Sequence, residues 1–136
     1  MSQSSQSAVG EMCAGPNPEL SKPRLIAPPG ATDTHLHFFG PQEKYPFLTP
    51  RNYTPPDATP ASYLALAKAL GIERAVIIQP SIYGTDNRRQ IDAVRYLGIP
   101  TRIVVVTPTN ITDRELESLH MAGARGVRII LSQPGG

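Results

Sequence analysis

The stretch Gly71-Ile72-Glu73-Arg74-Ala75-Val76-Ile77-Ile78 shows the pattern that decides the fold, a glycine that ends a helix followed by a short, largely β-branched strand. Thr59-Pro60 is typical of the start of that helix, because threonine caps a helix N-terminus and proline fits the first turn. We therefore predict a helix from about residue 60 to Gly71 and a strand at Ala75-Val76-Ile77-Ile78.

The same order of helix, glycine and strand occurs twice more. Both repeats begin with the residue types of a capping box, reach a stop glycine and continue into a β-branched run. In chain order these signals are Asn87 with Gln90, Gly98 and residues 102–106, then Thr112 with Glu115, Gly123 and residues 126–131. One more strand is predicted at about Thr32 to Phe38. The chain therefore supplies four strands and three crossover helices.

The predicted strands are apolar on both faces, as in Val104-Val105-Val106, which is typical of parallel strands covered by other layers. Two α/β architectures fit, a small open sheet with helices on both faces and the first half of an eight-stranded βα barrel. A complete barrel usually needs ~250 residues. Length alone therefore favours the open sheet.

Residues 1–22 consist mainly of Ser, Gln, Gly and Pro, with almost no apolar periodicity. Such a segment buries too little surface to offset its ordering entropy. We therefore predict a disordered leader over residues 1–22 and one domain over residues 23–136.

The chain has 136 residues, with 13 Lys+Arg against 11 Asp+Glu and a formal net charge of +2. A charge this small and evenly spread does not predict nucleic-acid binding, which needs basic side chains gathered on one face. The one cysteine cannot form an intramolecular disulfide, so the simplest expectation is a reducing compartment, the cytoplasm. No stretch approaches the ~20 apolar residues that span a bilayer, so we expect no membrane partner.

The segment Asp33-Thr34-His35-Leu36-His37 carries the clearest chemical signal. Alternate residues of a strand point to the same side, so His35 and His37 are predicted to project together while Thr34 and Leu36 face the opposite layer. Paired imidazoles can supply two ligands to Zn²⁺ or a similar ion, although a pair is only half of a site. The alternative is two histidines that bond backbone groups or a substrate carboxylate, and the residues alone leave both interpretations open.

Several segments between Pro28 and Gly136 resemble the lactone-hydrolysing branch of the amidohydrolase superfamily, the group that contains 2-pyrone-4,6-dicarboxylate lactonase and galactarolactone isomerase. The most specific is Gln79-Pro80-Ser81-Ile82-Tyr83-Gly84-Thr85-Asp86-Asn87, because two histidines alone would fit any amidohydrolase. The other matching segments are residues 33–37, 45–47, 51–55 and 123–128.

The resemblance implies a (β/α)8 TIM barrel, of which this chain would be the first half, with four strands and three helices. It also implies four catalytic residues, His35, His37, Tyr53 and Ser81. The substrate-binding residues that it implies are Arg128 and Tyr83. By this resemblance the histidines polarise the lactone carbonyl or hold the substrate, and Tyr53 and Ser81 donate hydrogen bonds to it. Arg128 binds a carboxylate as a planar fork. An unpaired guanidinium inside an apolar strand is costly, so Arg128 ranks directly after the histidines.

A binuclear metal centre is disfavoured, because residues 126–131 offer an arginine where binuclear amidohydrolases carry a bridging lysine or glutamate. The resemblance implies catalysis without a required metal cofactor, with His35 and His37 acting as electrophilic and hydrogen-bonding groups. A mononuclear Zn²⁺ on these two histidines stays open as the alternative.

We therefore expect hydrolysis or isomerisation of a small carboxylated lactone, with the general base and two further histidines lying beyond Gly136. On that basis residues 1–136 alone are predicted to be a truncated, inactive form whose open sheet edges can self-associate. The rival hypothesis is a small α/β module that binds an anion without catalysis at the loop from Gly84 to Asn87 and the helix start that follows.

Overall fold

The structure, a computed structural model, describes residues 9–131 of the chain. Their strands and helices are, in chain order, β1 Val9–Met12, β2 Thr32–Leu36, β3 Arg51–Thr54, α1 Pro60–Leu70, β4 Arg74–Ile78, α2 Arg88–Leu97, β5 Thr101–Val105, α3 Asp113–Met121 and β6 Ala124–Val127. A short 3₁₀ turn, Ser81–Tyr83, lies between β4 and α2. None of the helices in this part of the chain is long and apolar enough to cross a membrane.

Four of the strands form one parallel sheet in the order β2-β4-β5-β6, with a helix in each connection. This is the predicted arrangement of four strands and three crossover helices. β2 and β6 are the outer strands of this sheet. All the carboxyl ends of its strands therefore meet at one edge, where side chains from separate segments can come together.

A second, two-stranded sheet pairs β1 with β3 in parallel, with Glu11 opposite Tyr53. Neither strand is predicted from the sequence. The predicted disordered leader over residues 1–22 is therefore corrected at residues 9–12, which form β1, while residues 1–8 lie outside the described part. The backbone carbonyl of Gly10 also accepts a hydrogen bond from the Thr54 hydroxyl at 2.9 Å, which adds a side-chain contact between the two segments.

The core lies between the sheet and the helices. Ile77 of β4 and Ile103 of β5 are both fully buried, and Ala93 and Leu97 of α2 pack against this face of the sheet region. Burial of a side chain of this size stabilises the folded state by roughly 1.5–3 kcal/mol. The apolar side of α2 thus packs the helix, including Gln90 in its first turn, against the strands.

The ends of α1 and α3 follow the predicted signals. Thr59 caps α1 by accepting a hydrogen bond from a backbone N–H of the first turn, and Gly71 ends the helix with φ +75°. Thr112 and Glu115 form a complete capping box at the start of α3. These two helices therefore begin and end where local capping chemistry dictates.

The start of α2 does not follow the predicted capping box. Asn87 occupies the N-cap position but makes no side-chain capping bond. Its amide instead bonds Thr85 and both backbone groups of Val106, at the end of β5. Gln90 likewise bonds the backbone of Phe38. The prediction of a capping box at this position was wrong, because both side chains bond backbone groups just after distant strands, at Phe38 and Val106.

Two strands differ in detail from prediction. The last strand runs over Ala124–Val127 and not over residues 126–131. After Val127 the backbone N–H of Arg128 still donates to the carbonyl oxygen of Val105, at 2.7 Å. β2 ends at Leu36, and its pairing with β4 shifts register between Asp33 and Leu36. This irregularity inserts an extra residue, and Thr34, predicted to face the opposite layer, is exposed.

Candidate functional site

The two predicted histidines lie together at the carboxyl end of β2. Their ring centroids are 5.1 Å apart and their planes are nearly perpendicular. His35 is exposed, whereas His37 is half-buried. Between them Leu36 points into the core cluster that includes Ile77. The alternation of a strand therefore holds on this stretch, with both imidazoles on one side.

His37 has a defined hydrogen bond. Its Nδ1 lies 2.7 Å from the backbone carbonyl oxygen of Ile78, the last residue of β4. A carbonyl only accepts, so Nδ1 carries the proton and the neutral ring presents the lone pair on Nε2. Burial lowers the pKa of His37 below its ordinary 6.5, the bond to Ile78 opposes this, and the neighbouring His35 and Arg128 lower the pKa further. His37 is thus a neutral acceptor at pH 7.

The hydroxyl groups of Tyr53 and Ser81 form a second pair. Tyr53 lies on β3 and Ser81 opens the 3₁₀ turn after β4, and their oxygen atoms are 3.4 Å apart. Either hydroxyl can donate to the other, so one O–H is left to donate to a ligand. The structure therefore brings together two residues that are 28 positions apart in sequence.

Arg128 reaches the same edge of the sheet from the end of β6. Its Nη1 donates to the backbone carbonyl oxygen of Gln79 at 3.1 Å, directly after β4. The side chain is half-buried, and its charge acts on His37. The guanidinium thus comes from the outer strand opposite β2, and its charge reaches His37.

Gln79 is a residue to which the sequence analysis gave no role. Its side chain is fully buried, and Nε2 donates at 2.9 Å to the carbonyl oxygens of both Gly84 and Asp86. The same residue therefore anchors the loop after β4 through its amide and Arg128 through its backbone. The signal available in the sequence was a glutamine placed immediately after a buried strand.

Tyr83 lies inside an aromatic cluster, against which the predicted residue Tyr53 also packs. Its ring is buried among aromatic side chains, 5.2 Å from that of Phe47 and 6.3 Å from that of Phe39. Its hydroxyl accepts a hydrogen bond from the backbone N–H of Gly40 at 3.0 Å, and burial raises its pKa to about 12. This geometry gives Tyr83 a packing role and does not support the predicted contact with substrate.

A cavity of about 540 Å³ opens beside His37. Its walls come from residues 16–18, Leu20, Asp57 and the first turns of α1. Most of the lining is apolar, with Phe38 and Tyr63 among it. His37 is therefore reachable from the helix side as well as from the open face that bears His35.

A divalent metal on the histidine pair was left open by the sequence, and the donor set tests it. His35 and His37 offer two ring nitrogens. The nearest carboxylate in sequence, Asp33, is already bonded by the His35 backbone N–H at 3.1 Å and by the Tyr63 hydroxyl at 3.3 Å. No cluster of three or more metal-ligating side chains occurs within residues 9–131. The described residues thus supply two ligands and do not complete a metal site.

Parallel βα units with paired imidazoles, hydroxyls and a guanidinium at the carboxyl ends of the strands are the features of an α/β-barrel enzyme. The sequence model of the amidohydrolase family matches residues 32–136, and the chain belongs to that family.

Curated relatives carry lactone chemistry in their names. The chain is 42% identical over 129 residues to 4-sulfomuconolactone hydrolase of Hydrogenophaga intermedia, covering 94% of this chain and 42% of the relative. It is 45% identical over 108 residues to 2-pyrone-4,6-dicarboxylate hydrolase of Comamonas testosteroni, covering 79% and 35%. It is 34% identical over 116 residues to D-galactarolactone isomerase of Agrobacterium fabrum, covering 84% and 39%.

Solved structures agree with the fold. A crystal structure from Agrobacterium tumefaciens superimposes with a TM-score of 0.76 at 31% identity, over 88% of this chain and 42% of that chain. A probable 2-pyrone-4,6-dicarboxylic acid hydrolase from Acinetobacter baumannii, crystallised with citric acid bound, gives 0.67 at 28% identity, over 74% and 37%. The chain thus spans about two fifths of the length of its relatives, and the predicted fold class, part of a (β/α)8 barrel, is confirmed.

Proposed function

We propose that this chain forms the N-terminal part of an enzyme site that hydrolyses or isomerises small carboxylated lactones. The observation that carries the proposal is the paired imidazoles of His35 and His37, 5.1 Å apart at the carboxyl end of β2, with the charge of Arg128 acting on one of them. The names of the relatives support lactones as the substrate class.

The two histidines have different roles in this proposal. The bond from His37 Nδ1 to Ile78 leaves Nε2 as an acceptor, so neutral His37 cannot donate to a lactone carbonyl. It instead accepts a proton from the attacking water or hydroxyl. The donor to the carbonyl is then His35, whose exposed ring faces the open side of the site. This proposal differs from the expectation drawn from the sequence, in which both rings polarise the carbonyl and the general base lies beyond Gly136.

The remaining groups bind and orient the substrate. Arg128 holds a carboxylate, which places the adjacent ring carbonyl near the imidazoles. The hydroxyls of Tyr53 and Ser81 donate to the oxygen on which charge develops. The nucleophile adds to the carbonyl carbon as its proton passes to Nε2 of His37. The ring C–O bond then breaks, and the departing ring oxygen takes that proton from His37. The products are a hydroxy acid on hydrolysis or a rearranged lactone on attack by an internal hydroxyl.

The rival hypothesis of a simple anion site at the start of α2 is not favoured by the geometry. The carboxylate of Asp86 already accepts the backbone N–H of Arg88 at 3.2 Å and pairs with its guanidinium at 2.7 Å. A negative charge of the chain itself therefore occupies the helix N-terminus where a free anion would bind.

The test uses the 136-residue chain and a panel of carboxylated muconolactones, pyrones and aldarolactones. Ring C–H resonances of the histidines report binding by NMR, and lactone consumption is followed in parallel. We expect His35 and His37 to shift on titration, and H35Q and H37Q each to weaken binding by about tenfold, the equivalent of one lost hydrogen bond of ~1.4 kcal/mol. H120Q, at an exposed position on α3, is the control and keeps the affinity. Absence of any shift with the whole panel, or equal loss in H120Q, would contradict the proposal.

A further inference from the structure

The residue after His37 is held by a side chain of a different element. The backbone N–H of Phe38 donates to Oε1 of Gln90 at 3.2 Å, and Nε2 of Gln90 donates to the carbonyl oxygen of Phe38 at 2.9 Å. Both residues are almost completely buried. The ladder between β2 and β4 has its last pair at Leu36, so these backbone groups would otherwise lack partners in the core, at a cost of ~1–3 kcal/mol each.

The amide of Gln90 comes from a firmly packed helix. Further along α2, Ala93 and Leu97 belong to the same buried cluster as Phe38. The Phe38 ring also packs edge-to-face on Tyr63 of α1, with centroids 5.7 Å apart. Gln90 therefore extends from the packed helix α2 to the packed residue Phe38. Packing at both ends is the condition for fixing the position of a neighbouring group.

The consequence falls on His37. The peptide that donates to Gln90 joins His37 to Phe38, so the bond limits rotation of the backbone at the histidine. The contact of 2.7 Å between Nδ1 and Ile78 needs the imidazole in one orientation, and this contact selects which ring nitrogen carries the proton. A backbone free to turn after Leu36 would release the ring from Ile78.

We propose that Gln90 is a positioning residue that sets the orientation and the tautomer of His37 through its two hydrogen bonds to the backbone of Phe38. The inference rests on the proposed function for its catalytic meaning, because His37 must act there as an acceptor through Nε2. Its structural part, the link from Gln90 to the protonation of a particular ring nitrogen, is independent of any lactone.

The chain contains its own matched control. Asn87 hydrogen-bonds both backbone groups of Val106, the residue after β5. Its Nδ2 donates to the Val106 carbonyl oxygen at 2.8 Å, and its Oδ1 accepts from the Val106 N–H at 3.1 Å. Asn87 is also buried and lies three positions before Gln90. Removal of either amide costs stability in a similar way, but only Gln90 contacts the segment that carries His37.

The experiment compares Q90M and N87L, which replace each amide by an apolar side chain of similar shape, with the unmodified 136-residue chain. Ring ¹⁵N resonances of His37 show which nitrogen is protonated, and urea unfolding gives the stability of each form. We expect both variants to lose stability, and Q90M alone to lose the single Nδ1–H form of His37. A single Nδ1–H form retained in Q90M, or lost equally in N87L, overturns the proposal.

A conservative variant guards against misfolding of Q90M. In Q90E the carboxyl group, kept neutral by burial, retains one donor and one acceptor and should preserve the Nδ1–H form. Raising the pH ionises it and removes the donor to Phe38, so the His37 resonances should change with the same midpoint as the carboxyl. Constant His37 resonances through that ionisation overturn the proposal. If the chain binds no lactone yet Q90M still changes the tautomer, the proposed function fails while the positioning role stands.

Discussion

Replacement of Arg128 by methionine tests the substrate-binding half of the site. One guanidinium nitrogen, Nη1, is engaged by the carbonyl oxygen of Gln79. Nη2 and Nε make no hydrogen bond with the residues that the structure describes, so two donors of the planar fork remain for a carboxylate. A hydrogen bond to a charged group contributes ~1.5–3 kcal/mol. Loss of two such bonds at the lower figure is ~3 kcal/mol, so R128M should bind a carboxylated lactone roughly 100-fold more weakly.

The lysine variant separates geometry from charge. R128K keeps the positive charge but replaces the fork by a point donor, so it should lose about half of that free energy, or roughly tenfold in affinity. Arg125, on β6 three residues before Arg128, is the matched control, because it is exposed and its Nη1 donates to the carbonyl oxygens of Ala124 and His120. R125M should therefore bind like the unmodified chain.

The assay is isothermal titration of the 136-residue chain with the ring-opened hydroxy acid, which cannot turn over by hydrolysis. Thermal unfolding of each variant checks that the fold is retained; the backbone bond from Arg128 to Val105 does not involve the side chain and should persist. If R128M binds as tightly as the unmodified chain, or if R125M weakens binding equally, the assignment of the carboxylate to Arg128 is refuted.

Three further outcomes are expected. G98A, at φ +66° and ψ +4° with open space around the added methyl group, should cost ~1 kcal/mol in urea unfolding, whereas G84A, at φ +52° and ψ −127°, a conformation essentially confined to glycine, should cost ~2–3 kcal/mol; equal costs would contradict the backbone assignment. T112A should lose ~1 kcal/mol with its capping box, seen as a lower melting temperature than that of the unmodified chain. Because the pKa of His37 is lowered in the folded chain, the unfolded chain binds the proton more readily, so stability should fall as the pH drops below the ordinary value of 6.5; an identical slope in H37Q would show that another group is responsible.

The elements that the sequence predicted are those with local signals. α1 and α3 carry caps whose partners lie within one turn, at Thr59 and Thr112, and the apolar runs that follow each helix became neighbouring parallel strands. The histidine pair was equally local, because two residues of one strand share a side without reference to the rest of the chain. Local chemistry thus accounts for the sheet, the helices and the pair at its edge.

The features that the sequence could not show depend on distant partners. Asn87 and Gln90 have the residue types and spacing of a capping box, yet their amides bond Val106 and Phe38, which only the packed sheet brings within reach. Tyr83 lies in the segment that most resembles the lactonase branch, but burial among other rings governs its position. Secondary-structure propensity and sequence motifs describe one segment of the chain at a time. These contacts join two segments that are distant in sequence, so neither signal predicts them.

The pairing of β1 with β3 ties residues 9–12 to the strand that carries Tyr53. Glu11 lies opposite Tyr53, and a methyl group at Gly10 would come within 2.0 Å of the backbone of Asn52, so the two segments touch main chain to main chain. An amino-terminal fusion or deletion that displaces residues 9–12 would therefore unseat the strand that presents a candidate hydroxyl donor. Residues 9–12 contribute backbone support to β3 and no side chain to the candidate site, so protein engineering at this segment would change the position of Tyr53.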